Sequence, residues 1–81
     1  MPYPHTFITL TQKERKQVSF WLEQYAVTGQ YKKRRRLQVL YLSDQKVEFK
    51  RIAKRLNYSY MTVRRYVYMY RKQGLKPFIG E

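Results

Sequence analysis

The sequence predicts an all-α fold, a small bundle of about four helices that contains a helix-turn-helix. Three observations predict it. At 81 residues the chain has room for one modest core and too little for a typical enzyme fold. Its apolar residues recur at helical spacing, with no strand of useful length, no internal repeat and no low-complexity linker. The stretch from Ile52 to Tyr66 places apolar residues where two short helices crossing near a right angle must meet, while one face of the second stays free.

Taken in order, residues 1–10, with Pro2, Pro4 and Thr9, read as an extended arm. Thr11-Gln12-Lys13-Glu14 fits a capping box, so the first helix begins near Thr11. Val18, Trp21, Leu22 and Tyr25 define its apolar face, and Gly29 is its stop. The second helix runs from about Tyr31 to Ser43. It opens with Lys32-Lys33-Arg34-Arg35-Arg36 and buries Leu37, Leu40 and Tyr41. Asp44-Gln45-Lys46 forms the turn. The third helix spans from Val47 or Glu48 to Leu56 and the fourth from Tyr60 to Gln73, with Gly74 ending it and Pro77 barring continuation. Residues 76–81 form a short tail, and the whole of 1–81 is expected to be a single domain.

At the expected crossing, Ile52, Leu56, Tyr58, Val63 and Tyr66 supply the apolar contact, with Ala53 at the closest approach. Asn57, at ease in a left-handed conformation, ends the third helix, and Ser59 caps the fourth. At about 100° per residue, Val63, Tyr66, Val67 and Tyr70 face inward, while Met61, Arg65, Tyr68 and Lys72 face out with Arg64 and Arg71 on one shoulder. Trp21, Tyr25, Tyr41, Tyr58, Tyr66 and Tyr70 are expected in the core. Phe20 and Phe49 lie off their helices' main stripes and are candidates for a dimer contact.

Eighteen Lys and Arg against five Asp and Glu give a net charge of +13 and a pI near 10.3. That imbalance weakens the free fold by self-repulsion and favours a polyanionic partner. A membrane surface fits less well than nucleic acid, because the basic residues recur along all the expected helices and do not flank one amphipathic stripe. The chain has no cysteine, hence no disulfide framework and no thiolate metal site. No apolar run approaches the ~20 residues of a membrane span, and Met1-Pro2-Tyr3-Pro4-His5 lacks the regions of a signal peptide. A soluble, unprocessed cytoplasmic protein, located with the nucleoid, is expected. His5, the one histidine, has no nearby ligand partners, and Glu14, Glu23, Asp44, Glu48 and Glu81 are scattered. With no acidic cluster and no glycine-rich phosphate loop, no catalytic residue, metal, cofactor or small-molecule substrate is expected, and the chain reads as a non-enzyme.

The expected partner is double-stranded DNA. Arginine's planar fork takes guanine N7 and O6 together, which makes Arg64 and Arg65 the candidate base readers. Met61 and the Tyr68 ring offer apolar contact to a thymine methyl. Tyr60, Arg71 and Lys72 complete the outer face of the fourth helix, and Ser59 is placed to cap it and meet a phosphate. Lys32, Lys33, Arg34 and Arg35 form a candidate phosphate clamp, joined by Lys50 and Lys54 from the third helix. The same basic run also reads as a solvated helix face.

The segment from about Lys33 to Leu75 resembles the N-terminal DNA-binding region of bacterial insertion-sequence transposases of the Tc1/mariner-related superfamily, a homeodomain-like fold. The residues that carry the likeness are Arg34-Arg35-Arg36-Leu37-Gln38-Val39-Leu40, Ile52-Ala53-Lys54-Arg55-Leu56-Asn57-Tyr58-Ser59, Thr62-Val63-Arg64-Arg65-Tyr66 and Tyr70-Arg71-Lys72-Gln73-Gly74-Leu75. Leu10 to Arg15 extends it toward the N-terminus. The resemblance implies recognition of terminal inverted repeats through the second helix of the motif, here Ser59 to about Arg71. The sequence departs from that pattern at Asn57, where glycine is usual, at Glu48, where a hydroxyl cap is usual, and at Arg51, where glutamate is usual. The family's catalytic domain with its acidic triad would follow this region, and the sequence ends at Glu81. The expectation is therefore a DNA-end recognition module lacking a catalytic domain. The alternatives are a small transcriptional regulator, a homodimer on two half-sites, and a non-specific RNA-binding protein.

Overall fold

The first helix starts as the capping box requires. Thr11 Oγ1 accepts the Glu14 N–H at 3.1 Å while the Glu14 carboxylate accepts the Thr11 N–H at 3.0 Å. The computed structural model describes residues 7–79. It contains α1 (Gln12–Val27), α2 (Tyr31–Asp44), α3 (Phe49–Leu56), α4 (Tyr60–Gln73) and a 3-10 turn at Lys76–Phe78. Pro2, Pro4, His5 and Glu81 lie outside the described residues.

Each α-helix ends at or just before a residue with positive φ: Gly29, Lys46, Asn57 and Gly74. The bonds that close these ends are local. Gln30 and Gly29 donate to the carbonyls of Tyr25 and Ala26, and Val47 and Lys46 to those of Leu42 and Ser43. At the end of α3, Asn57 (φ 61, ψ 42) and Tyr58 both donate to the Ala53 carbonyl. This pairing of a left-handed residue with back-bonded N–H groups satisfies carbonyls the helix itself leaves open. Lys46 has no glycine's freedom there. Its Nζ bonds the Ile8 carbonyl at 2.8 Å and Thr9 Oγ1 at 2.9 Å, which offsets the left-handed cost of about 1–2 kcal/mol.

The helix α2 packs against α1, α3, α4 and the 3-10 turn, while α3 and α4 also pack on each other. Because several neighbours cover α2, it buries a wide arc: Leu37, Val39, Leu40, Leu42 and Ser43. Tyr41, expected in the core, falls outside that arc and is 37% exposed. Phe49 also departs from expectation. It is only 8% exposed, because in a helix that buries Phe49, Ile52, Ala53 and Leu56 it stands at position i of an i, i+3, i+4, i+7 stripe. Phe20 is 53% exposed, off the α1 face formed by Val18 and Tyr25, with Trp21 and Leu22 partly buried against the core.

Both ends of the described chain join the core. Ile8 and Leu10 are buried, their N–H groups held by Ser43 Oγ (3.1 Å) and Asp44 Oδ1 (2.9 Å). The expected tail is a 3-10 turn with Leu75 and Phe78 buried, and the Phe78 carbonyl accepts the Tyr25 hydroxyl at 3.3 Å. Asp44 ties three segments together, since the Arg15 guanidinium grips both its oxygens at 2.9 and 3.1 Å. Against the opposing effect of burial, that guanidinium and then the Leu10 N–H hold the Asp44 carboxyl below the usual aspartate range.

A group whose pKa is lower folded than unfolded contributes stability above its unfolded pKa and loses it as pH falls through the folded one. The gap in stability between wild type and Asp44→Asn, measured by urea unfolding, should therefore be constant above about pH 4 and shrink below it. At the α3 end, Asn57→Val should cost about 1–2 kcal/mol while Asn57→Gly holds stability. Equal melting of the two variants would refute the left-handed constraint.

Candidate nucleic-acid interface

The turn between α3 and α4 is three residues long, Asn57 to Ser59, and ends in a cap. Ser59 Oγ accepts the Thr62 N–H at 3.1 Å and shares a hydrogen bond with Thr62 Oγ1 at 2.9 Å. The inward side of α4 is then fixed along its length. Val63 and Val67 are buried. The Tyr66 ring lies 5.6 Å from Tyr58 and 6.2 Å from Phe78. The Tyr70 hydroxyl donates to Glu14 Oε1 at 2.7 Å, and burial, reinforced by that carboxylate, pushes its phenol well above the ordinary value. Tyr70 thus stays a neutral donor throughout the physiological range.

With that side engaged, the opposite side is open. Ser59, Tyr60, Met61, Arg64, Arg65, Tyr68, Arg71 and Lys72 are all exposed. The Arg64 guanidinium carbon sits 5.9 Å from the Tyr60 ring centroid and Lys72 Nζ 5.5 Å from that of Tyr68. Arg71 reaches back to the Phe7 carbonyl at 2.9 Å, so its side chain also ties α4 to the N-terminal segment.

In α3 the division is complete. Phe49, Ile52, Ala53 and Leu56 are buried, and Lys50, Arg51, Lys54 and Arg55 are exposed. Sequence reasoning selected Lys50 and Lys54 and passed over Arg51 and Arg55, which stand on the same exposed side. Their signal was the pairing of cations at i, i+1, i+4 and i+5 against the apolar stripe.

The basic run of α2 is used differently. Lys32 is exposed. Lys33 Nζ lies 5.9 Å from the Tyr25 ring centroid, and Arg34 Nε donates to the Leu22 carbonyl at 3.2 Å. Arg35 sits 4.9 Å from the Tyr58 ring and donates to the Leu56 carbonyl at 3.4 Å, on the last turn of α3. Arg36 lies 5.8 Å from the Tyr66 ring, its Nε buried with no hydrogen-bond partner among the described residues. Four of these five cations lean on the protein, and Arg35 and Arg36 lie against the rings that pack the α3–α4 turn.

Between described residues the one ion pair is Arg15–Asp44. Tyrosine rings, not carboxylates, face five other cations. Among the described residues no group of three or more His, Asp or Glu could hold a metal ion, and no helix is long and apolar enough to cross a membrane.

No curated protein and no solved structure matches the chain. The family of homeodomain-like domains matches it over residues 30–79. That match begins at the α2 N-cap and runs through the 3-10 turn, leaving α1 outside it. With α2, α3 and α4 mutually packed and a capped three-residue turn between the last two, the chain belongs to the homeodomain-like helix-turn-helix DNA-binding domains.

Proposed function

We propose that the protein binds double-stranded DNA sequence-specifically, with α4 in the major groove, as a transposase-type DNA-end recognition module and not as an enzyme. The observation that carries this reading is the outer side of α4, cationic, aromatic and uncovered while its inner side is packed end to end. Arg64 and Arg65 are the candidate base readers there, and Met61 and Tyr68 offer apolar surface to thymine methyl groups. Ser59, Tyr60, Arg71 and Lys72 flank the groove. Lys50 and Lys54, with Arg51 and Arg55 beside them, neutralise phosphates, as do Lys32 and Lys33. Arg34 and Arg35, each bonded to a carbonyl through one nitrogen, have further N–H groups for the same backbone. The transposase-type assignment is supported by the resemblance of residues 33–75, and the place of action is the cytoplasm beside the nucleoid.

Selection of bound duplexes from a random pool at about 0.15 M salt, where screening suppresses phosphate binding, should enrich one motif. An asymmetric motif supports the DNA-end module. A palindrome with half-sites about one helical turn apart would instead make the protein a dimeric regulator. No enrichment, with binding equally competed by single-stranded RNA, would overturn sequence-specific reading altogether. Separately, Lys50→Ala should weaken selected and random duplexes alike and lower the slope of log affinity against log salt by about one unit. An unchanged slope would remove Lys50 from the interface.

A further inference from the structure

Tyr60 and Tyr68 are tyrosines that α4 leaves uncovered, 44% and 60% exposed. Each stands four residues before a cation that lies over its ring, at 5.9 Å for Tyr60–Arg64 and 5.5 Å for Tyr68–Lys72. The i, i+4 spacing brings such pairs together on a helix surface. The two pairs differ in what lies behind the ring. Tyr60 packs against Phe49, a core residue in the first turn of α3, at 6.3 Å between centroids. No second ring contacts Tyr68 among the described residues. The side chain of Arg65, the neighbour of Arg64, has no hydrogen bond, ion pair or ring contact among them either.

We propose that Tyr60 is a specificity-determining positioning residue, carrying the Arg64 guanidinium on a relay from the core, Phe49 to Tyr60 to Arg64, so that Arg64 and not Arg65 reads a guanine. This inference rests on α4 being the groove helix. Bidentate recognition of guanine N7 and O6 needs the guanidinium plane set in one orientation. A free arginine loses rotamer freedom to reach it, whereas one already held on a ring has lost part of that freedom before binding. A guanidinium that meets a ring through its face keeps its in-plane N–H fork for a base edge. Lysine has no plane to orient, so the Tyr68–Lys72 pair places a point charge, which suits a phosphate and not a base.

Two measurements test this on the full chain. In the free protein, NMR of the arginine side chains should find Arg64 Nε–H more ordered than that of Arg65. Tyr60→Leu should abolish the difference and Tyr60→Phe, which keeps the ring, should preserve it. On DNA, discrimination between the selected duplex and one with its guanine contact replaced should fall about two- to fivefold in Tyr60→Leu, the range an exposed cation–π pair supplies. It should be unchanged in Tyr60→Phe, and Tyr60→Leu should have no further effect in an Arg64→Ala background. Equal mobility of Arg64 and Arg65 in the wild type would overturn the proposal, as would a loss in Tyr60→Leu that is the same on random duplexes or persists without Arg64. If the wild type itself discriminates between no duplexes, the groove-helix reading fails and this inference with it. If the wild type discriminates and Tyr60→Leu discriminates equally well, only this inference fails.

Discussion

Five cations in succession, Lys32 to Arg36, open the helix against which every other helix packs. Charges of one sign at that density repel each other, and at a helix N-terminus they also oppose the macrodipole, typically by 0.3–1 kcal/mol each at the surface. Carboxylates would ordinarily compensate. The chain has five acidic residues in all against eighteen Lys and Arg, and the one ion pair between described residues, Arg15–Asp44, lies at the opposite end of the helix. The compensation comes instead from oriented neutral groups. Lys33, Arg35 and Arg36 lie over tyrosine rings, and Arg34 and Arg35 bond carbonyls. The Leu56 carbonyl that takes Arg35 belongs to the last turn of α3, where the dipole of that helix favours a cation. The core can therefore form around α2 without cancelling its charge.

How much of this the sequence disclosed follows the range of the interactions. The capping box at Thr11, the left-handed Asn57 and the Ser59 cap rest on bonds between residues at most five apart, and they were legible from residue type and spacing alone. So were the two sides of α4, because that helix has one packed side and one open one. Tyr41 was misplaced because a single-stripe reading suits a helix with neighbours on one side, and α2 has them on several. Phe49 and Phe78 were missed for related reasons: one opens a helix too short for its stripe to stand out, and the other follows a proline that reads as an ending. Lys46 gave no signal of its left-handed conformation beyond its place in a turn, since the hydrogen bonds that hold it there come from residues more than thirty positions away. In the basic run of α2, the identity of the cations was legible and their direction was not. A run of cations in a sequence carries no information on which rings and carbonyls will meet them.

The N-terminal segment shows the same dependence on long-range partners. Ser43, Asp44 and Lys46 at the end of α2 hold residues 8–10, and Arg71 from α4 takes the carbonyl of Phe7. Glu14, just after that segment, accepts the Tyr70 hydroxyl. Segments distant in sequence are thus bonded to the final turns of α4, while Tyr66 is held by Tyr58 and Phe78 nearer the middle. A helix anchored at both its middle and its end presents its outer side chains on a stiff support, and stiffness in the support is what lets a side chain discriminate.

That stiffness matters more here than in a chain of balanced charge. A net charge of +13 attracts any phosphate backbone, and attraction of this kind raises affinity for all sequences equally. In the proposed reading, specificity comes from the few groups whose geometry admits one base edge and rejects others. Neutralising the surplus cations with carboxylates would have lowered the non-specific attraction but also the field that draws the partner in. Laying them over tyrosines keeps the charge and restricts its direction. In α2 this restriction turns cations toward the protein, where they brace the α3–α4 turn. In α4 the same contact, made by an exposed ring, leaves the cation at the surface. One interaction, repeated along the chain, braces the fold where its ring packs on the core and leaves a cation facing solvent where its ring is exposed.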